Sequence, residues 1–226
     1  MRIIHQEHNI GIDFEEGYVE VLCVENPKVL AMLVDDLLRQ IEGGTGGWIL
    51  SEKEKVLLLS KHMAGIINPF ALDCNERKIL NKIYSEFVEI ASNEYPVETA
   101  ELNGKIVDYL DMLFQRSAYH LDMQTDLDIA GILKLYDVKM EIESKELIER
   151  IIDYLRALHY ICKIDMFAFV HLKEYLTEEE LGALYEFANY EKLSLLFIES
   201  RYGGCLKYEK WWIYDKDLCM INVDMN

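Results

Sequence analysis

Two short and almost unbroken apolar runs, residues 166–172 (MFAFVHL) and 193–199 (LSLLFIE), constrain this chain more than any other feature. A strand with one solvated face alternates apolar and polar residues, so unbroken runs of this length suit strands covered on both faces. Between them, Thr177-Glu178-Glu179-Glu180 is a capping box opening a helix with Leu181, Leu184, Tyr185 and Ala188 on its inner side. The three pieces make a βαβ unit with parallel strands and a right-handed crossover.

The N-terminal third has related material. Residues 18–24 (YVEVLCV) read as a strand, Asn26 as an N-cap and Pro27 as the first residue of a helix. That helix, over 27–41, sets Val29, Leu30, Leu33, Leu37 and Ile41 on one face. Residues 48–50 and 56–59 read as short strands around a charged turn at 51–55, and 211–214 with 218–223 as a hairpin. The middle is helical: Ile79, Ile83, Phe87 and Ile90 recur at helical spacing, as do Leu102, Ile106, Leu110 and Leu113, with Pro96 between the two sets. A short helix over 128–136, an edge strand at 138–142 (VKMEI) and a helix capped by Ser144 follow. The expected architecture is an α/β head from 1–69 and 146–226, with a mainly helical leg from 70–145.

A chain of 226 residues buries roughly 70% of its unfolded surface, so it needs neither disulfides nor a structural metal. Five cysteines without a C-x-x-C pair suit reduced thiols. The first eight residues are too polar for a signal peptide, and the longest run free of acidic and basic residues is too short to span a bilayer. A cytoplasmic protein with no membrane association is expected. Twenty-three basic against 41 acidic residues give a net charge of −18, which argues against nucleic acid as the partner of a single copy.

Few residues carry recognisable chemistry. The junction after the first long strand reads Glu25-Asn26-Pro27, without the glycines and lysine that cradle phosphate, so no nucleotide hydrolysis is expected. The glycine run at 43–47 reads as a flexible loop. Six histidines show no metal spacing; His5 and His8 lie three apart in a segment that reads extended, where they would face opposite sides. Asp122, Asp126 and Asp128 crowd the end of the long helix, either as a solvated helix end or as a hard-cation site that relieves their repulsion. Lys134 and Lys139 are basic residues in an acidic neighbourhood, and by themselves read as solvated surface.

The order of several segments resembles one family, the type II-A CRISPR-associated Csn2 proteins of spacer acquisition. The resemblance is carried by Phe70-Ala71-Leu72-Asp73-Cys74-Asn75, by Leu121-Asp122-Met123-Gln124-Thr125-Asp126, by Ile132-Leu133-Lys134, and by Val138-Lys139-Met140-Glu141. It continues through 167–170, 175–181, 193–201 and the tail. It implies a non-catalytic homotetrameric ring of degenerate RecA-like heads and helical legs, stabilised by calcium, that takes double-stranded DNA ends into its lumen without reading sequence. By position it implies Lys134, Lys139 and Arg201 as lumen residues, Asp122 and Asp126 as cation residues with Asp128 in support, and the CRISPR spacer integrase and type II effector nuclease as further partners. Four copies of −18 give −72, so a basic lumen must gather the same lysines from every subunit while the acidic excess faces outward. A small atypical NTPase or kinase and an acidic protein-binding scaffold are the alternatives.

Overall fold

The computed structural model describes residues 1–53 and 55–223, so Glu54 of the expected charged turn lies outside the described residues. The chain divides into two compact units, Met1–Asp73 with Glu143–Asn226, and Cys74–Ile142.

The first unit begins with β1 (Arg2–His5), β2 (Ile10–Asp13) and β3 (Val19–Val24), followed by α1 (Pro27–Ile41), β4 (Trp48–Glu52), β5 (Lys55–Leu57), the single turn α2 (Leu59–His62) and β6 (Met63–Ile66). The second unit holds α3 (Arg77–Asn93), α4 (Pro96–Phe114) and α5 (Ile129–Leu135). The first resumes with α6 (Leu147–Cys162), β7 (Met166–Val170), α7 (Glu178–Tyr190), β8 (Ser194–Glu199), β9 (Glu209–Tyr214) and β10 (Met220–Val223).

Two sheets result. The small one is antiparallel in the order β2-β1-β4-β5, and the large one runs β10-β9-β3-β8-β7-β6. In the large sheet β3, β6, β7, β8 and β9 are all parallel, with β10 antiparallel on the edge. Numbered along the chain, the parallel strands lie 5-1-4-3-2, the order of RecA-like ATPase heads. The all-apolar runs behave as double-sided burial requires: every residue of β3 and β7 is buried. One face of the sheet packs Leu22, Val24, Leu196 and Ile198 against α1 and the small sheet, in a core with Ile3, Ile12, Leu33, Leu37, Trp48 and Leu50. The Trp48 indole N–H donates to the Leu33 carbonyl at 3.0 Å, so this large ring leaves no polar atom stranded. Against the other face α6 and α7 bury Ile151, Leu155, Leu158, Leu181 and Leu184, and the Tyr185 ring meets Phe197 edge-on at 5.7 Å.

Several expectations are corrected. Residues 138–142 form no strand; the Asn75 amide bonds the Met140 N–H at 2.8 Å and its carbonyl at 3.1 Å, doing for one residue what a partner strand would do. The helix expected from Ser144 starts after Glu146, where the Glu149 carboxylate reaches back to the N–H groups of Lys145 and Glu146 at 3.2 and 3.4 Å. The expected strand over 56–59 stops at Leu57 and turns into α2. His5 and His8 do not face apart: the turn between β1 and β2 brings their rings to 5.2 Å. The 43–47 loop is tied down, because the Gly47 N–H donates to Asp36 Oδ2 at 2.6 Å and the Trp48 N–H to Gln40 Oε1 at 2.8 Å. A Cβ at Gly47 would sit 2.8 Å from His5 Nε2, so only glycine lets this loop pass the imidazole.

Candidate functional site

In a parallel sheet with this strand order, the turn from β3 into α1 is where a phosphate would meet the first helix N–H groups. Asn26 occupies that place itself: its Oδ1 accepts from the Lys28 N–H at 3.0 Å and the Val29 N–H at 3.4 Å. Pro27 offers no N–H at all. Glu25 adds negative charge, and burial, reinforced by the charges of Glu25 and Glu199, pushes the Cys23 thiol up to about 11. Donors are spent, and the local field is anionic. The first N–H groups of α1 are thus taken by Asn26 or missing at Pro27.

The second unit carries the leg residues singled out in the sequence. Lys134 lies exposed in the last turn of α5, flanked by Leu135 and Tyr136, which are 79% and 76% exposed. Lys139 follows the left-handed Asp137 and pairs with its carboxylate at 2.6 Å, which leaves Lys134 the better placed of the two to meet an outside anion. Arg201 belongs to the other unit, in the segment after β8, and its guanidinium pairs with Glu174 at 3.2 Å.

The three aspartates lie between α4 and α5 and at its start, all exposed. Asp122 accepts from the Met123 N–H at 2.9 Å, and Asp128 caps α5 by accepting from the Gly131 N–H at 2.8 Å. Their oxygens suit a hard cation chemically. Among the described residues no group of three or more His, Cys, Asp or Glu side chains is arranged to hold a metal ion. Among the same residues no helix is long and apolar enough to cross a membrane.

A family model described as CRISPR-associated protein (Cas_Csn2) matches residues 40–218. The chain belongs to the Csn2 family. The CRISPR-associated protein Csn2 of Streptococcus agalactiae is 26% identical over 208 residues, 91% of each chain. Csn2 of Enterococcus faecalis is 24% identical over 132 residues, 57% of this chain and 59% of the other. Among solved structures, the ATP-binding cassette of an ABC transporter in its ADP conformation aligns with a TM-score of 0.43 at 13% identity, covering 90% of this chain and 79% of that one. A nucleotide-free cassette aligns with a TM-score of 0.40 at 15% identity, covering 91% and 79%. Membership in Csn2 makes this a CRISPR-associated protein.

One group with chemical potential escaped the sequence reading. Lys173, Glu199 and Glu209 meet near the ends of the large sheet, where Glu209 is buried against the Lys173 ammonium. Their sequence signal is an acidic residue at a strand end, Glu199 closing β8 and Glu209 opening β9.

Proposed function

We propose that this Csn2 chain works without catalysis, as a closed homotetrameric ring that holds linear double-stranded DNA ends in its lumen while new CRISPR spacers are acquired. The observation that carries the reading is the family match across residues 40–218, together with the spent phosphate site after β3. Further support comes from α4, which has no buried residue and needs a covering surface, and from Lys134, an exposed cation that fourfold symmetry would gather into a ring. Calcium belongs to this reading as a structural ion drawn to the exposed carboxylates of Asp122, Asp126 and Asp128. The spacer integrase and effector nuclease are the expected partners of the DNA-loaded ring.

The experiment compares linear with covalently closed duplex in gel shifts at increasing salt. Linear duplex of any sequence binds, closed circles do not, and affinity falls steeply with salt because lysines meet phosphates without reading bases. Lys134→Glu removes up to four contacts in a tetramer, so the slope of log affinity against log salt shrinks by as much as about 3.6. Equal binding to circles removes the threading reading, and an unchanged slope in an intact tetramer removes the assignment of Lys134.

A further inference from the structure

Away from the turn after β3, the large sheet offers a second crevice beyond the carboxyl ends of β7 and β8, the edge where ligands of open parallel sheets enter. A cavity of about 470 Å³ lies there, with Leu176, Leu181 and the Trp211 ring among its apolar lining. Its charged lining residues are Lys173, Glu174, Glu178, Glu199 and Arg201. The two cations are already matched. The Lys173 ammonium bonds the buried Glu209 and lies 4.8 Å from the centre of the Trp211 ring, and Arg201 pairs with Glu174 at 3.2 Å. Glu178 and Glu199 remain without a lysine or arginine side chain paired to them, so the lining carries more carboxyls than cations.

Glu199 and Glu209 are nearly equally buried, and their surroundings differ sharply. Glu209 accepts from the Tyr185 hydroxyl at 2.6 Å, the Trp211 indole at 2.8 Å, the Leu206 N–H at 2.9 Å and the Lys173 ammonium. Glu199 accepts one long bond, 3.3 Å from the Lys173 N–H. Its other oxygen lies 3.4 Å from the His171 Nδ1, an ion pair only when that imidazole is protonated. A buried carboxylate normally collects several donors, because the cost of desolvating it is otherwise unmet. Burial accordingly holds the Glu199 carboxyl above the usual range. The under-satisfied group faces a cavity rather than packed side chains.

We infer that this cavity is a binding site for a guanidinium or alkylammonium group on an apolar stem, its charged head meeting Glu199 and Glu178 and its stem lying along Leu176, Leu181 and Trp211. A charged donor satisfies Glu199 better than water does, and an aliphatic stem matches the apolar wall. Two sources carry this chemistry: a free amine, and an arginine or lysine side chain of a protein. The site requires neither DNA nor a tetramer, so its fate is separate from that of the ring.

The test titrates the full chain with agmatine and with N-acetyl-arginine amide at matched ionic strength, read by tryptophan fluorescence and calorimetry. Saturable binding is expected. Glu199→Gln keeps the shape of the side chain and weakens binding by about tenfold or more. Gly203→Lys supplies a competing ammonium from a rim position where a Cβ meets nothing within 4 Å, and it weakens binding as well. Lys28→Ala, on the exposed start of α1, leaves affinity unchanged. Stronger binding of agmatine assigns the site to free amines, and stronger binding of the amide assigns it to a protein arginine. Absence of saturation overturns the inference, as does unchanged affinity in both variants. Should Glu199→Gln fail to fold, Gly203→Lys decides alone.

Discussion

β3 and α4 are both rich in apolar residues, yet all six residues of β3 are buried and none of the 19 residues of α4 is. The difference extends to their units. The first unit closes a core on both faces of its large sheet, whereas the apolar residues buried in the second are Cys74, Ile79 and Tyr84. Leu102, Tyr109, Met112 and Leu113 lie exposed on α4, Tyr109 seven residues past Leu102 and Met112 and Leu113 three and four past Tyr109, a single stripe along the helix. Apolar periodicity therefore means two different things in one chain. In the head it records a core completed by the chain itself, and in the leg it marks an apolar stripe that one copy of the chain leaves exposed.

Breaking that surface gives the largest expected effect. The double variant Leu102→Glu with Met112→Glu places charge along the stripe, and on the proposed tetramer light scattering should show the mass falling from about four times 26.5 kDa towards 26.5 kDa. Helical circular dichroism should survive, since neither residue is buried within the chain. An unchanged mass would mean that α4 is not the assembly surface and would remove half of the comparison.

The head can be probed through a charge that it buries at a cost. Glu20 stands fully buried in β3; one oxygen accepts from the Trp212 indole at 2.6 Å and the other has no partner. Burial, only partly offset by that bond and by Lys210, raises its pKa from 4.5 to about 7. The folded state thus holds a proton that the unfolded chain releases earlier. Its contribution to stability is complete below pH 4.5 and is lost as pH rises to about 7, by about 3 kcal/mol. Urea melts at pH 5 and pH 8 should differ by that order in the wild type, and Glu20→Gln should remove most of the difference. A wild-type curve that is flat with pH would show that the head accommodates the charge after all.

What the sequence discloses follows the same division. The βαβ unit, the Asn26 cap, the Thr177 capping box and the terminal hairpin were legible because each is a local pattern with one physical outcome. The β1–β2 hairpin and β6 were not anticipated, since segments of four residues carry too little periodicity to be told from loops. Residues 138–142 alternate like a strand, but a strand also needs a partner, and alternation is silent on whether one is free. At the candidate sites, Lys134, Lys139 and the aspartates drew attention through charge in the wrong company and through family order. The Glu199 cavity was invisible, because it depends on Glu209 having already taken Lys173 and on Glu174 having taken Arg201, two pairings between residues 36 and 27 positions apart.

The smallest expected effect sharpens the comparison from the side of the leg. Where the head is held by burial, polar bonds tie down segment 138–142, among them two between the Asn75 amide and the Met140 backbone, one of 2.8 Å from the Tyr84 hydroxyl to the Val138 carbonyl and one of 3.0 Å from the Val138 N–H to the Leu133 carbonyl. Asn75→Ala leaves the Met140 N–H and carbonyl to water or to nothing, a loss of about 1–2 kcal/mol at a half-buried site. Asn75→Asp keeps the acceptor and loses the donor, so it should fall between wild type and Ala. Hydrogen exchange reads the outcome locally: amides of 138–142 should lose protection in that order, while those of β3 and β7 keep theirs. Equal loss in both units would mean that the leg's few bonds support the head, and that the two units share one stability rather than holding two.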